Sequence, residues 1–170
     1  MARIVVIGNA AGGKSTLARR LARRRELPHV EVDRLLWLPG WKLAPEAEYA
    51  RAHAEVIAQD RWVIDGLGRQ DSIAERLARA TDIILIDLPL WMHFWLAAER
   101  QLAWAQGRLD HPPAGAAEMP PTQELFRTMA EVDQSWLPDI RRMCALAELE
   151  RKAVTRLGSI KEIDAFVGKL

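Results

Sequence analysis

A short glycine-rich stretch near the start of the sequence carries the clearest chemical signal. Residues 8–15 read Gly-Asn-Ala-Ala-Gly-Gly-Lys-Ser, which is the spacing G-x-x-x-x-G-K-S. In such a loop the backbone N–H groups converge on phosphate oxygens, while Lys14 adds a positive charge and Ser15 offers a hydroxyl to Mg²⁺. We therefore expect this segment, called the phosphate loop below, to bind the phosphates of a nucleoside triphosphate, with ATP as the expected donor.

The residues on either side of the phosphate loop favour the same interpretation. Residues 3–7 form a continuous apolar, β-branched run, typical of a strand buried on both faces, and residues 14–25 have leucine and alanine at helical spacing. A strand, a glycine turn and a helix in this order form the expected context of the motif, because the helix N-terminus attracts anions. The predicted nucleotide-binding residues are Gly8, Asn9, Ala10, Ala11, Gly12, Gly13, Lys14, Ser15 and Thr16.

The rest of the chain alternates between strands and helices. Further strands are predicted at 29–32, 61–64, 82–88 and 152–156, and helices at 46–59, 72–79, 90–106, 122–150 and 159–168. The long helix should be interrupted near Pro138, and a turn is expected at 38–41. Five strands that each precede helical sequence predict an α/β protein with a parallel sheet and helices on both faces.

Two helix starts carry a capping-box pattern. Ser72 stands three residues before Glu75, and Ser159 three residues before Glu162. In this pattern the serine oxygen accepts a hydrogen bond from the backbone N–H of the third helical residue. We therefore expect both serines to cap helices.

Three aspartates mark the ends of predicted strands: Asp33, Asp65 and Asp87. Ligands of an open α/β sheet bind outside the carboxyl ends of its strands, and all three should lie on the side of the phosphate loop. The alternative for each is a helix cap or an ordinary loop carboxylate.

Composition sets broad limits. The chain has 170 residues with a formal net charge of +1 and one cysteine, Cys144. The length suits one domain over 1–170, and a single cysteine favours a reducing, cytoplasmic setting. We expect no membrane segment, because the apolar stretch 83–98 is short and interrupted by polar residues. The basic run at 19–25 is either a solvated helix face or a contact for nucleic acid.

The order of these segments resembles the adenylate-kinase-like P-loop kinases. It is most similar to the adenylate-kinase-related DNA topology modulation (FlaR-like) proteins. The phosphate loop, Val-Asp-Arg-Leu-Leu-Trp-Leu-Pro-Gly-Trp at 32–41 and Trp-Val-Ile-Asp-Gly at 62–66 carry the resemblance. It implies a three-layer P-loop NTPase fold with sheet order 2-3-1-4-5, an acceptor-side segment at 33–60 and a short lid at 107–121.

The resemblance also implies roles for residues near the expected donor phosphates. Asp65 would hold Mg²⁺ through water, together with Ser15. Arg100 and Arg108 flank the lid as lid arginines do, and Arg141, with Arg142 beside it, would complete the clamp on the transferred phosphoryl group. Gly158 and Ser159 would pass beside the adenine ring. His111 in the lid is a further candidate for phosphate contact.

On the acceptor side, Asp33 is similar to the aspartate that orients or deprotonates a hydroxyl in shikimate- and gluconate-kinase-like enzymes. Arg69 falls where adenylate kinases carry an arginine on the acceptor phosphate. The sequence departs from adenylate kinases at Leu36, where they have arginine, and at Leu67-Gly68, where they have Phe-Pro. These departures leave the acceptor open among a nucleoside monophosphate, a nucleoside and another metabolite.

The expected function is therefore transfer of the terminal phosphoryl group of ATP, with Mg²⁺, to a small acceptor. Trp37 and Trp41 flank a turn next to Asp33, so either can stack on a planar acceptor or pack the turn. The alternative is a nucleotide-dependent regulatory ATPase that acts on nucleic acid or a protein partner, although the near-neutral charge does not favour tight nucleic-acid binding. A monomer and a homodimer both fit.

Overall fold

A computed structural model describes residues 1–109, 112 and 118–170. The strands in these residues are β1 (Ala2–Gly8), β2 (His29–Glu31), β3 (Trp37–Leu38), β4 (Lys42–Leu43), β5 (Arg61–Asp65), β6 (Asp82–Ile86) and β7 (Ala153–Leu157). The helices are α1 (Lys14–Arg25), α2 (Asp33–Leu36), α3 (Glu46–Ile57), α4 (Ile73–Arg79), α5 (Leu90–Ala105), α6 (Thr122–Glu131), α7 (Leu137–Leu149) and α8 (Ile160–Val167).

Five of the strands form the central parallel sheet, in the order β2-β5-β1-β6-β7. Counted along the chain within this sheet, that order is 2-3-1-4-5, so the predicted architecture is confirmed. Val6 of β1 lies opposite Asp65 of β5, and Gly8 lies opposite Ile86 of β6. Because all five strands are parallel, their carboxyl ends meet at one edge of the sheet.

Both faces of the sheet are covered, which explains the continuous apolar strands. Val5 and Ile7 of β1 belong to a core cluster with buried residues of α3, α4 and α7. Ile4 and Val6, which alternate with them, belong to a second cluster with residues of α1, α5 and α8. Successive side chains of a strand point to opposite faces, so both sets must be apolar in a three-layer α/β fold.

Of the two predicted capping boxes, one forms and one does not. Ser159 accepts a hydrogen bond from the Glu162 N–H at 3.2 Å and caps α8, while the Glu162 carboxylate accepts from Gly158 at 2.6 Å. The expectation for Ser72 is wrong. Ser72 is helical itself, in a 3₁₀ turn ahead of α4, and its hydroxyl donates to the Arg69 carbonyl at 2.8 Å. The pattern predicts the helix correctly, but the Ser72 hydroxyl is hydrogen-bonded to the Tyr49 hydroxyl and does not cap the helix.

The long helical segment near the end of the chain is interrupted as expected. A π-helical turn spans Val132–Trp136, between α6 and α7, and Pro138 lies in the first turn of α7. Proline is tolerated there because the first N–H groups of a helix lack intrahelical partners. The wide turn ends at Trp136, which packs on the core.

Strands β3 and β4 form an antiparallel hairpin that closes over Pro39-Gly40-Trp41. Gly40 has φ of 74° and Trp41 has φ of 58°, so the predicted turn at 38–41 depends on left-handed backbone. The hairpin lies between Asp33 and α3 and so belongs to the expected acceptor-side segment.

No helix in the described ranges 1–109 and 118–170 is long and apolar enough to cross a lipid bilayer.

The packing of α7 on the sheet gives a direct stability test. Leu137 is fully buried, whereas Leu149 at the other end of α7 is 81% exposed. We expect Leu137→Ala to lower the free energy of unfolding by about 2–5 kcal/mol, since it leaves a cavity in the core. The matched control Leu149→Ala should change it by no more than about 0.5 kcal/mol. Urea denaturation measures both, and equal effects would contradict this packing.

Candidate functional site

The phosphate loop connects β1 to α1 at the carboxyl edge of the sheet. Gly8 has φ of 148°, and a Cβ there would collide with the Ile86 carbonyl. Gly13 caps α1 with φ of 81° and open space around it. Among the described residues no acceptor is hydrogen-bonded to the N–H groups of Gly12 and Gly13. Free amides at a helix N-terminus suit an anion such as a phosphate.

The buried side chains of Asn9 and His93 hold the phosphate loop in place through hydrogen bonds. The Asn9 amide donates to the Met129 carbonyl at 2.7 Å and accepts from the Ala10 N–H at 2.8 Å. His93 of α5 donates from Nδ1 to the Ala10 carbonyl at 2.7 Å. Burial lowers the pKa of His93 and so favours the neutral ring, and the carbonyl partner requires that Nδ1 carries a proton. The loop is thereby held by α5 and α6.

Lys14 is only 9% exposed, and its Nζ donates to the Asn9 carbonyl at 2.7 Å. Burial lowers the pKa of Lys14, and the carboxylates of Asp33 and Asp65 oppose this effect. A buried ammonium requires nearby negative charge. Phosphate groups in the loop would supply more of it, so the arrangement fits a polyphosphate.

Asp65 is 2% exposed and receives hydrogen bonds on both carboxylate oxygens. The Ser15 hydroxyl donates to Oδ2 at 2.5 Å, and the His29 ring donates from Nε2 to Oδ1 at 2.7 Å. The two predicted metal-binding residues are therefore in contact. His29, at the start of β2, is a partner that the sequence did not single out.

Asp33 stands at the start of α2 and faces the turn that follows β5. Its Oδ1 accepts a hydrogen bond from the Gly68 N–H at 2.8 Å. A Cβ on Gly66 would lie 2.7 Å from Asp33 Oδ2, so glycine is required for this close approach. Burial raises the pKa of Asp33, against the opposing effect of Lys14.

The turn at 66–69 explains one departure from adenylate kinases. Gly68 has φ of 62°, and the Tyr49 hydroxyl occupies the space that a Cβ would need. Proline cannot take this position, because its φ is near −65° and it lacks the N–H that Asp33 receives. The fully buried Arg76 holds the turn from inside, donating to the Gly66 carbonyl at 3.2 Å and the Leu67 carbonyl at 2.9 Å.

Two of the arginines predicted to bind phosphate are paired with carboxylates of this chain. Arg69 lies beside the turn and pairs with Glu46 at 3.4 Å and Asp71 at 3.6 Å. Arg141 makes a two-pronged contact with Asp87, with its shortest N–O distance at 2.7 Å.

The lid prediction is only partly described by the structure. Arg100 of α5 is half-buried and close enough to lower the pKa of Lys14, and it has no salt bridge to any residue in 1–109 or 118–170. Arg108 is exposed and donates to the Gln106 side chain. His111 and the other residues of the predicted 107–121 lid at 110 and 113–117 lie outside the described residues.

The expected adenine side is formed by the end of β7. Gly158 is exposed and lies near the Asp87 carbonyl, while Ser159 is occupied in capping α8. Thr16 is exposed in the first turn of α1. The loops after β6 and β7 are joined by the Asp87 N–H, which donates to the Leu157 carbonyl at 2.9 Å.

The structure thus brings together Lys14, Ser15, Asp33 and Asp65 at one edge of the sheet. It leaves Arg108 outside this group and pairs Arg69 and Arg141 with carboxylates. The sequence did not indicate His29, Tyr49 and Arg76 as supporting residues of the site. Only tertiary contacts identify them, since none belongs to a spacing pattern of its own.

No protein-family model matches the chain, and no curated protein sequence matches it. Its fold, however, is similar to solved shikimate kinases. The enzyme from Aquifex aeolicus VF5 is 17% identical, with a TM-score of 0.53 over 98% of this chain and 92% of the other. The enzyme from Bacteroides thetaiotaomicron is 16% identical, with a TM-score of 0.55 over 99% and 95%.

A third structure, shikimate kinase from Acinetobacter baumannii in complex with shikimate, is 13% identical, with a TM-score of 0.58 over 99% and 90%. At such identities the likeness establishes the fold alone. The chain therefore has the α/β P-loop fold of the shikimate kinases. The finer resemblance to FlaR-like proteins stays a prediction.

The support of the phosphate loop by His93 can be tested with a double-mutant cycle. A Cβ on Gly12 would lie 2.9 Å from His93 Cε1 and 3.0 Å from Ile86 Cγ2. We expect Gly12→Ala to destabilise the protein by about 1–3 kcal/mol through overpacking. In a His93→Ala background, the cost should fall by roughly 0.5 kcal/mol or more, because the ring is gone.

Gly158→Ala is the matched control for this cycle, since its Cβ would meet only ordinary contacts of 3.6 Å and 3.8 Å. Urea denaturation of the wild type, the three variants of the cycle and the control measures the coupling. Strict additivity between Gly12 and His93 would contradict the contact.

Proposed function

We propose that this protein is a phosphotransferase that moves the terminal phosphoryl group of ATP to a hydroxyl of a small acceptor. The observation that carries the proposal is the facing arrangement of two sites at one sheet edge. The phosphate loop with Lys14 lies on one side, and the carboxylate of Asp33 lies on the other. Lys14 and Asp33 are close enough for the charge of each to shift the pKa of the other. A phosphoryl group bound between them would therefore contact both.

The donor half of the proposal rests on the fit of the loop to phosphates. Amides of Gly12 and Gly13, the N-terminus of α1 and the buried Lys14 form a concentrated positive field. Such a field stabilises the charge that develops on phosphoryl oxygens during transfer. Arg100 would add to it, as the resemblance implies.

Mg²⁺ is the expected companion of ATP, and the donor set fits it. The Ser15 hydroxyl and the Asp65 carboxylate supply hard oxygen atoms at one place, so that Ser15 would bind Mg²⁺ and Asp65 would hold it through water. When bound with ATP, Mg²⁺ neutralises phosphate charge. His29 would keep Asp65 oriented through its hydrogen bond at 2.7 Å.

The acceptor half of the proposal rests on Asp33. A carboxylate held by the Gly68 N–H, with a pKa raised by burial, is suited to accept a proton from a hydroxyl. The shikimate kinase from Acinetobacter baumannii that shares the fold was solved with shikimate, a small-molecule acceptor. That likeness supports a small acceptor here without naming it.

The regulatory alternative finds less support in the basic run of α1. Arg19 pairs with Glu31 at 3.4 Å, and Arg24 donates to the Leu170 carbonyl at 2.5 Å. These contacts occupy two of the basic side chains that nucleic acid would need. We therefore propose the small-molecule kinase as the function.

The role of Asp33 gives a test with a pH readout. As a general base Asp33 must be ionised, so kcat/KM should fall as the pH falls through its pKa. Because burial raises that pKa above 3.8, the loss should occur at a higher pH than for an exposed aspartate. Asp33→Asn should lower kcat by about two to four orders of magnitude and remove this limb of the profile.

The exposed Asp60, away from the site, provides the matched control as Asp60→Asn, which should keep the wild-type profile. Coupled detection of ADP across a pH series measures all three proteins. Full activity in Asp33→Asn would exclude Asp33 as the base, and a loss of ATP binding in that variant would assign it to the donor site instead.

A further inference from the structure

A cavity of about 560 Å³ opens beside Asp33 and indicates what the acceptor is. Gly68 connects the two, because it lines the cavity and its N–H donates to Asp33 at 2.8 Å. The volume lies in the range of small-ligand pockets, about 300–1,000 Å³. A molecule bound here can present a hydroxyl to Asp33 while its remaining atoms fill the cavity.

The walls of the cavity are apolar and partly aromatic. Trp37 comes from β3 and Trp136 from the π-helical turn, and Leu36 and Leu43 complete the apolar part of the lining. Both tryptophans are half-buried against the core, so their positions are set by packing. Trp41 meets Trp37 edge-to-face at 5.7 Å, which restrains that ring further. Rings held in this way stack on planar ligands at low entropic cost.

The charge of the cavity disfavours an anionic acceptor. Arg69 is the one cation among the described residues that line it, and both Glu46 and Asp71 pair with this arginine. The Glu46 and Asp71 carboxylates are largely exposed, so each pair contributes little on its own. Glu46 and Asp71 nevertheless place two carboxylates on a single guanidinium. A phosphate or carboxylate group would have to displace these pairs and meet the repulsion of their negative charge.

We propose that the cavity takes an uncharged alcohol with a planar aromatic ring, the chemistry of a nucleoside, and that Glu46 and Asp71 restrain Arg69 so that anionic acceptors are disfavoured. This inference rests on the proposed phosphotransferase function. The acceptor hydroxyl oxygen forms a bond to the γ-phosphorus of ATP and loses its proton to Asp33. The bond from that phosphorus to the bridging oxygen breaks, and ADP leaves with the electron pair.

Binding and turnover are measured separately, so that the two proposals can fail independently. With the donor site saturated by ADP and Mg²⁺, titrations compare cytidine, uridine and thymidine with their monophosphates and with shikimate. We expect at least one nucleoside to bind about tenfold tighter than its monophosphate and than shikimate, a difference of about 1.4 kcal/mol. Tighter binding of the monophosphates or of shikimate, or no nucleoside binding at all, would overturn the inference.

Phosphorus NMR of the same acceptors with ATP then tests turnover. Phosphorylation of a nucleoside supports both proposals. Transfer to an anionic acceptor in preference to every nucleoside would overturn the inference and leave the phosphotransferase proposal standing. Nucleoside binding without transfer to any acceptor would instead contradict the proposed function.

Substitutions of Trp136 test whether the nucleoside stacks on its indole ring. Trp136→Leu should raise the KM for the nucleoside about tenfold with little change in kcat, whereas Trp136→Phe should largely retain the wild-type KM. The exposed Trp91 on α5 supplies the matched control, Trp91→Leu, which should behave as wild type. An unchanged KM in a folded Trp136→Leu protein would contradict stacking on this ring.

Variants of the carboxylates test the charge argument. The double variant Glu46→Gln/Asp71→Asn frees Arg69 and should shift the preference toward monophosphates about tenfold relative to wild type. Glu48→Gln/Asp60→Asn removes the same number of exposed charges elsewhere and should leave the preference unchanged. Equal shifts in the two double variants, or none in the first, would contradict the assigned role of the pairs.

Discussion

Charge compensation at the carboxyl edge of the sheet is the constraint on which the rest of the site depends. Lys14 and Arg76 are buried cations, 9% and 0% exposed, and Asp33 and Asp65 face them. Burial works against every one of these charges, and each is partly relieved by the opposite charges around it. Removing one member would leave another buried without compensation. The phosphate loop and the surroundings of Asp33 are therefore energetically linked.

The turn after β5 joins the two sides mechanically. Asp65 contacts Ser15 of the phosphate loop, and three residues later Gly68 holds Asp33 on the acceptor side. Arg76 fixes the turn by donating to two of its carbonyls. The Tyr49 hydroxyl fixes it further by accepting a hydrogen bond from the Arg69 N–H at 3.1 Å. Such a turn keeps the geometry of the two sides within narrow limits, as in-line phosphoryl transfer requires.

Much of the fold follows from local patterns in the sequence. Buried strands and the helix at 14–25 are marked by continuous apolar runs and by helical spacing, and these signals need no knowledge of distant residues. The phosphate loop is recognisable for the same reason, because its task is performed by backbone amides within eight residues. The capping box at Ser72 failed because a distant hydroxyl, that of Tyr49, competes for the serine.

Partners that are distant in the chain could not be predicted from spacing. The contacts of His29 with Asp65 and of His93 with Ala10 join residues 36 and 83 positions apart. Whether Arg69 is free for a phosphate or restrained by Glu46 and Asp71 also depends on tertiary structure. The cavity lined by Trp37 and Trp136 is the clearest example, since only the tertiary structure brings these two distant segments of the chain together.

The fate of the γ-phosphate of ATP tests the central claim most directly. The protein is incubated with Mg²⁺ and ATP labelled in that group, with and without a candidate acceptor, and the label is traced to its product. We expect the label to appear in an organic phosphate ester when the acceptor is present, and Lys14→Ala to abolish this transfer. Release of the label only as inorganic phosphate, unaffected by any small acceptor and increased by nucleic acid, would contradict it.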